Sequence, residues 1–582
     1  MEKEQVAAAL DEVGTLLELQ GENAFKCNAY HNAARTIEQL ETNLSDAVQS
    51  GQLGQLRGIG ERMQEHVLEL HRTGKLTQLE ELRKKTPAGL FQMLRIQGLG
   101  PKKVKALHDE LGIDTLEKLK EACEDDKVAK LKGFGAKTQQ KILEGIEFLS
   151  QVGERVRIDQ ALPLANSLLE GLRSLPGVIR IELCGSLRRR RETIADIDIL
   201  ISSNDPQPIM DHFVKMPIVV QVIGQGDTKA SVTVSNGHLG GSKKVLMNAD
   251  LRVVSDEQFP FALHYFTGSK AHNIAVRQRA QARGLKLNEY GLTGPDRDVK
   301  CRDEAALFKA LDLDYIPPDL REDTGEIAAA EKHALPELIE VGDVQGVFHC
   351  HTTYSDGGNT LEEMAAAAKA LGLKYFGFGD HSQSLTVANG MSVERVRQQQ
   401  EAIDQLNKKL KGIKLFKGVE CDILADGSLD YPDDVLASFD YVVASVHSHF
   451  AQPRDEMTAR IVRAIRHPAV RILGHATGRL LLRRDGYQVD LEAVLQAAAQ
   501  TGTMIEINAH PMRLDIDWVH CKRARALGVP LVINPDAHST DDINLYPYGV
   551  DVARRGWLTK ADVFNTHSAA EVAKVFAQPK KG

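Results

Sequence analysis

Cysteine is scarce in this chain, seven in 582 residues, and no two stand at a paired spacing. That excludes a disulfide scaffold and predicts reduced thiols in a cytoplasmic protein. Aromatic residues make up only 5%, and no run approaches the roughly 20 apolar residues that span a bilayer. The opening MEKEQVAAALDEVGTLLELQGE lacks a basic start and an unbroken apolar core, so no secretory signal and no membrane association are expected. Positive charge is not in excess either: 72 Lys and Arg against 80 Asp and Glu leave a formal charge of −8. A histone-like polyanion binder is excluded, but a nucleic-acid enzyme is not, because binding needs only a local cationic track. What remains, 42% hydrophobic and 26% charged, is ordinary for a globular chain. At about 150 residues per domain the length predicts roughly four folding units.

Glycine is plentiful, with 47 residues, and some of it is placed in a pattern. Within residues 1–154, which read as helices, one motif returns three times: LRGIGERMQEHV, IQGLGPKKVKAL and LKGFGAKTQQKI. Each has a Gly–apolar–Gly turn (Gly58/Gly60, Gly98/Gly100, Gly133/Gly135) followed by an amphipathic helix with basic residues near its start, Lys102 and Lys137 among them. Glycine allows positive φ there, and free N–H groups at a helix start attract phosphate. The repeat resembles the helix–hairpin–helix motif of DNA binders that do not read sequence. We expect a first helical domain over 1–90 and a second over 91–154.

Residues 155–258 change to β-branched strands. Asp196-Ile197-Asp198 sits in one of them, so the period of two puts both carboxylates on one face. Asp250 in NADLRVV offers a third. Three hard oxygen donors describe a site for two divalent cations that drive an in-line displacement at phosphorus. Upstream, Gly185-Ser186 and Arg188 to Arg191 supply hydroxyl, backbone and guanidinium donors for a triphosphate.

This block resembles the nucleotidyltransferase palm of family X DNA polymerases, and the likeness continues through YFTGS at 265–269 and Asn288-Glu289-Tyr290. The resemblance implies that Asp196, Asp198 and Asp250 hold two Mg2+ or Mn2+ ions. It further implies that Gly185, Ser186 and Arg189 bind the triphosphate and that Tyr265, Phe266 and Gly268 line the sugar pocket. Asn273 would meet the incoming base and Arg277 the template side. Two positions depart from the family pattern: Ala195 replaces a glycine and Asn248 an arginine. GENAFKCNAYHNAARTIEQL, at 21–40, resembles the family's DNA-end-binding domain, but His66 stands where some members carry a Schiff-base lysine, and histidine forms no such imine. The palm is expected over 155–258, a thumb-like subdomain over 259–318 and a linker without a packing face over 319–340.

From Val341 onward short apolar strands alternate with helices, and ionisable residues gather at predicted strand ends: His349, His351, Asp356, His381, Glu420, His447, His475, Asp536 and His538. In a (β/α) barrel such ends meet on one face. Nine donors from seven strand ends suffice for up to three ions, and the imidazole–carboxylate mix suits Zn2+, Mn2+ or Fe. His449, His467, His510 and His520 fit the pattern less well and read as ordinary polar residues. The motifs HCHTTYSDG, GDHS, GVECDI, SVHS, GHATGR and DAHS resemble those of the polymerase and histidinol phosphatase (PHP) domain over 341–575.

The whole resembles the bacterial arrangement of a family X polymerase fused to a PHP domain. We therefore expect a multidomain fold: helical N-terminal region, α+β palm and thumb, and a distorted (β/α)7 barrel. The resemblance implies a monomer that fills gaps in gapped or nicked DNA with dNTPs. Its PHP domain would cut phosphoesters as a 3′–5′ exonuclease, with apurinic-site endonuclease and 3′-phosphatase activities as extensions. An alternative keeps the fold but changes the chemistry, to a template-independent nucleotidyltransferase joined to a small-molecule phosphatase. A DNA scaffold with no activity would require both acidic centres to be inert.

Overall fold

The computed structural model describes residues 3–38, 44, 48, 52–56, 58–94, 96, 99–151, 155–238, 245–294 and 298–580. They form two compact units, Met1–Glu154 and Arg155–Gly582. The first is helical because its apolar residues recur every three or four positions between glycine breaks. In Glu61–Thr73, Met63, Val67 and Leu70 bury one face and Gly74 closes the helix in the left-handed region. Pro101–Leu111 repeats the plan, with proline in its first turn, Val104 and Leu107 buried and Gly112 at its end. Positive φ occurs at Gly58 (88°), Gly133 (89°) and Gly135 (81°). Gly60 and Gly100 differ from that expectation: they are extended, with φ of −74° and −83°, each as the residue before a helix. Gly98 lies outside the described residues.

The second unit begins with a five-stranded sheet ordered Arg180–Leu183, Asp196–Ser202, Leu246–Val254, Lys229–Ser235, Val219–Gln225. The Asp196 and Leu246 strands are parallel neighbours, while the remaining pairs are antiparallel. Asp196 is exposed and Ile197 buried, then everything from Ile199 is buried, because the strand is central and helices Ile158–Arg173 and Phe259–Thr267 pack on it. A small antiparallel sheet of Lys286–Asn288, Gly291–Thr293 and Asp298–Val299 follows.

Residues 319–340 are not the expected loose connection. Leu320, Ala330 and Leu338 join the apolar cluster of Leu307, Phe308 and Trp557, and Arg321 and Glu326 are completely buried. The alanine-rich pattern hid this because the packing face is made of single apolar residues widely spaced in sequence.

The last part contains eight parallel strand segments in two sheets, and two of these segments, Lys414–Phe416 and Gly418–Asp422, are separated by Lys417 alone. One sheet is Gly346–Cys350, Tyr375–Phe378, Lys414–Phe416; the other runs Gly418–Asp422, Tyr441–Ser445, Val470–Leu473, Met504–Asn508, Leu531–Asn534. The first and last strands meet, through a parallel bridge Cys350–Ala537 and a hydrogen bond from Phe348 N to Asn534 Oδ1 of 3.1 Å, and close a distorted barrel. Its strands are buried on both sides and therefore read as continuous apolar runs. Among the described residues no helix is long and apolar enough to cross a membrane, and all seven cysteines are buried and unpaired.

Two candidate metal centres

In the palm, register does what the sequence period promised. Asp198 lies directly opposite Asp250 across the parallel pair, and Asp196 lies opposite Asn248. Burial, then the charges of Asp196 and Asp250, push Asp198 up to about 7. Asp196 is raised as well, by burial and then by Asp250. Mutual repulsion of this kind is what a bound divalent cation relieves, so the donor set fits the ions that the family resemblance implies. The three aspartates are nevertheless not drawn tight. Among the described residues, groups of three ligand atoms within 4.8 Å occur only in the barrel, and Lys229 Nζ stands 2.9 Å from Asp250 Oδ2.

The turn at Gly185 is sterically fixed: its φ is 61°, and a Cβ there would come within 2.2 Å of Asp198 Oδ2. Only glycine permits this approach of backbone to carboxylate. Ser186 is half-buried in the next position. The arginines behind it are less free than the sequence reading has them. Arg188 pairs with Glu304 at 2.7 Å, and Arg189, 7% exposed, donates from Nε to Glu322 Oε1 at 3.1 Å. Arg189 is thus engaged by Glu322, a partner more than a hundred residues away in sequence.

Tyr265 and Phe266 meet edge to face with centroids 5.1 Å apart, and the Arg252 guanidinium lies 4.5 Å over the Phe266 ring. Gly268 has φ 67°, and a Cβ there would stand 3.1 Å from Arg189 Nη1. Asn273 donates to the Tyr265 carbonyl at 2.7 Å and leaves its Oδ1 buried without a partner, while Arg277 is exposed. Asn288 Oδ1 accepts from the N–H groups of Tyr290 and Gly291, which makes the Asn-Glu-Tyr segment a side-chain-closed turn. Asn248 Oδ1 accepts from Thr233 at 3.1 Å.

In the first unit, Lys102 and Lys137 are exposed beside their glycine turns. His66 Nδ1 lies 3.3 Å from Tyr30 Oη, whose hydroxyl also donates to Gln78 at 2.9 Å. Burial, and then the charge of Arg62, hold the His66 ring below the usual imidazole range.

The barrel centre is built differently. His349 and His351 both face inward at 0% exposure, and Cys350 between them enters the apolar core. Glu420 is the hub. Its oxygens lie 3.1 Å from His349 Nε2, 2.9 Å from His381 Nδ1, 3.3 Å from His447 Nε2 and 2.9 Å from His475 Nε2. Asp536 Oδ1 stands 3.2 Å from His351 Nε2, and Asp356 Oδ2 lies 3.6 Å from His381 Nε2 and 3.4 Å from His538 Nε2. All nine predicted donors therefore meet. They form overlapping groups: His351, Asp356, His381, His538; His349, His351, Asp536; His349, Glu420, His475; and His381, Glu420, His447. The ring nitrogens His349 Nε2, His351 Nδ1 and Nε2, and His381 Nδ1 are buried and face the carboxylate oxygens out of hydrogen-bond alignment, which is the state of a ligand set that fits metal.

Electrostatics agrees. Burial opposes charge on His381, His447 and His538, but the carboxylates around them prevail and raise the three to about 10, 9 and 9. His351 is lowered to about 3 by burial and by His538 and His381. Three donors also hold unfavourable backbone: His349 (φ 56°), His475 (φ 22°) and Asp536 (φ 51°). Such strain persists only where the surroundings over-determine it.

The seven strand ends expected to supply donors are six. The strand Met504–Asn508 contributes Glu506 instead, which binds not the cluster's centre but the outer nitrogen of His349, Nδ1, at 2.6 Å. Asp422 does the same for His447 Nδ1 at 2.6 Å. Asp380 is buried and satisfied by Thr352, Ser355 and Gln399. Sequence reasoning missed the role of Glu506; the available signal was one carboxylate in an otherwise apolar strand. It missed Arg513 too, whose Nε is 3.4 Å from Asp536 Oδ2. His510 borders the cluster but accepts from Met512 N, and His449, His467 and His520 pair with Ser448, Asp433 and Asp517.

Four family models match parts of the chain. Residues 1–76 match a helix-hairpin-helix domain, 91–147 a SAM-like helix-hairpin-helix tandem, 262–322 the DNA polymerase beta thumb and 348–510 the PHP domain. A Caldicellulosiruptor saccharolyticus protein named "probable phosphatase" is 32% identical over 34% of this chain and 80% of its own length. The Thermoanaerobacter sp. (strain X514) protein of the same description is 29% identical, over 38% and 89%. The DNA polymerase/3′-5′ exonuclease PolX of Bacillus subtilis (strain 168) is 40% identical over 98% of this chain and 99% of its own length. With a polymerase thumb and a PHP domain in one chain aligned end to end with that protein, the chain belongs to the PolX family.

Proposed function

We propose that this chain extends DNA primers across short gaps at the palm and trims 3′ ends by phosphodiester hydrolysis in the barrel, at two independent centres. The observation that carries the reading is the coexistence, on separate sheets, of the Asp198–Asp250 pair and the Glu420-centred histidine cluster. Mg2+ or Mn2+ on Asp196, Asp198 and Asp250, and Zn2+, Mn2+ or Fe on the nine barrel donors, would supply Lewis acidity toward phosphoryl oxygens. The chain's own residues do the rest. Gly185 and Ser186 offer donors to the incoming triphosphate, Arg189 adds a planar fork, and Tyr265 and Phe266 wall the sugar. Asn273 Oδ1, buried without a partner, is available to the base edge. In the barrel, Glu506 and Asp422 fix ring tautomers, and Arg513 offers positive charge beside Asp536 to a scissile phosphate. The glycine turns of the first unit, with Lys102 and Lys137, hold backbone phosphates of gapped or nicked DNA without reading bases.

Asp196→Ala with Asp198→Ala should reduce primer extension on gapped DNA by about 10^3-fold or more and leave 3′ trimming intact. His349→Ala with His351→Ala should do the reverse. Loss of both activities in either variant, measured on one labelled gapped substrate, refutes two independent centres.

A further inference from the structure

The arginine assigned to the triphosphate is wired into the barrel through a single carboxylate. Arg555 closes the helix Tyr546–Arg555 of the barrel part and is 1% exposed. Its Nη1 donates to Glu192 Oε2 at 2.7 Å and its Nη2 to Glu322 Oε1 at 3.3 Å. The same Glu322 oxygen accepts from Arg189 Nε at 3.1 Å. Two guanidinium groups, one beside the palm's phosphate turn and one from the barrel, therefore share one oxygen. The side chains of Arg189, Glu322 and Glu192 are 9%, 13% and 14% exposed, so the row Arg189–Glu322–Arg555–Glu192 alternates in sign and lies largely out of water.

Burial decides what such a row does. A carboxylate deprived of its only cation in a dry site is strongly destabilised, whereas one that retains a second cation is not. If Glu322 had Arg189 alone, turning that guanidinium toward a triphosphate would strand the carboxylate. With Arg555 in place, Glu322 stays compensated while Arg189 turns. Docking of the barrel does not need this contact: Arg554 holds Asp319 at 3.1 Å, Lys522 Nζ reaches the Thr324 carbonyl at 2.6 Å, and Arg190 lies 3.8 Å from Asp551. The Arg190–Asp551 pair touches the arginine run directly, whereas the Arg555–Glu322 contact reaches Arg189 through a shared carboxylate.

We propose that Arg555 is a positioning residue of the polymerase site: by holding Glu322 it frees Arg189 to grip the triphosphate of the incoming nucleotide, so that nucleotide affinity at the palm depends on a side chain of the PHP barrel. The proposal rests on the reading of Arg189 as a triphosphate ligand.

The test uses the full chain with gapped DNA and Mg2+, reading KM for one dNTP, kcat and 3′ trimming for Arg189→Ala, Arg555→Met, Glu322→Gln and the Glu322→Gln/Arg555→Met pair. Arg555→Met should raise KM about ten-fold, the weight of one charged hydrogen bond, with kcat and trimming unchanged. The pair should bring KM to the level of Glu322→Gln alone, because an amide does not capture Arg189 and Arg555 then has no carboxylate to hold. Glu322→Gln alone should lower KM by about two- to five-fold, a readout that stands even if Arg555→Met does not fold. An unchanged KM in Arg555→Met, a rise that Glu322→Gln does not suppress, or a raised or unchanged KM in Glu322→Gln overturns the proposal. A joint fall of kcat and trimming overturns it too, in favour of interface glue. Arg189→Ala separates the two ideas: a raised KM there with no effect of Arg555→Met removes the relay alone, and an unchanged KM removes the phosphate-cradle reading together with it.

Discussion

The palm carboxylates and the barrel histidines solve the same problem, holding cations near a phosphate, by opposite means. In the barrel nine donors converge, several rings have buried nitrogens, and three donors sit in strained backbone. Outer partners such as Glu506 and Asp422 lock the rings. In the palm the three aspartates stand wider apart, Asp196 is exposed, and Asp250 is engaged by Lys229. The barrel is a preassembled ligand set, and the palm is an open one. The difference follows from ligand mix: in the barrel imidazoles and carboxylates of opposite tendency offset one another, whereas the palm's three carboxylates repel until a cation intervenes.

The sharpest way to break this contrast is chelation. A brief chelator treatment should depress extension by about 10^3-fold, fully restored by added Mg2+, while elemental analysis finds the barrel's transition metal still bound. Complete loss of that metal on the same timescale would erase the distinction. Next in size is Glu506→Gln, which removes the negative partner of His349 Nδ1. Trimming or barrel metal affinity should fall about 10- to 100-fold with extension unaffected, and an equal loss of extension would show that the centres are coupled. Smallest is a pH effect confined to the palm. Below about 7 Asp198 is protonated and a cation must displace that proton, so the Mg2+ needed for half-maximal extension rises as pH falls. Between about pH 8 and about pH 6 the shift should be roughly ten-fold, and it should vanish at saturating Mg2+. A Mg2+ requirement independent of pH would mean that the three carboxylates do not act as a coupled set.

Much of the candidate chemistry was legible because it is local. A period of two placed His349 with His351 and Asp196 with Asp198, and a Gly-Ser turn before an arginine run announced an anion site. Recurrent donors at the ends of apolar strands announced a barrel face. What escaped were pairings over long sequence distances. Nothing in the Arg188–Arg191 run tells which arginine is taken by Glu304, which by Glu322, and which is left toward solvent. Glu506 stood in an apolar strand with no local sign of a partner, and only the folded barrel sets it behind His349. The 319–340 segment looked unpatterned because its packing partners, Phe308 and Trp557, come from different parts of the chain.

Sequence alone determined the kinds of ligand, their grouping into two centres, and the strand or turn that carries each. Tertiary structure decided the sharing: which carboxylate becomes a hub, which acid stands behind a ring instead of in front of it, and that one oxygen of Glu322 serves both a palm and a barrel arginine. The reason is physical. Side-chain direction follows from local backbone periodicity, but a shared atom exists only after distant segments close on one another, and that closure is set by the packing of the whole core.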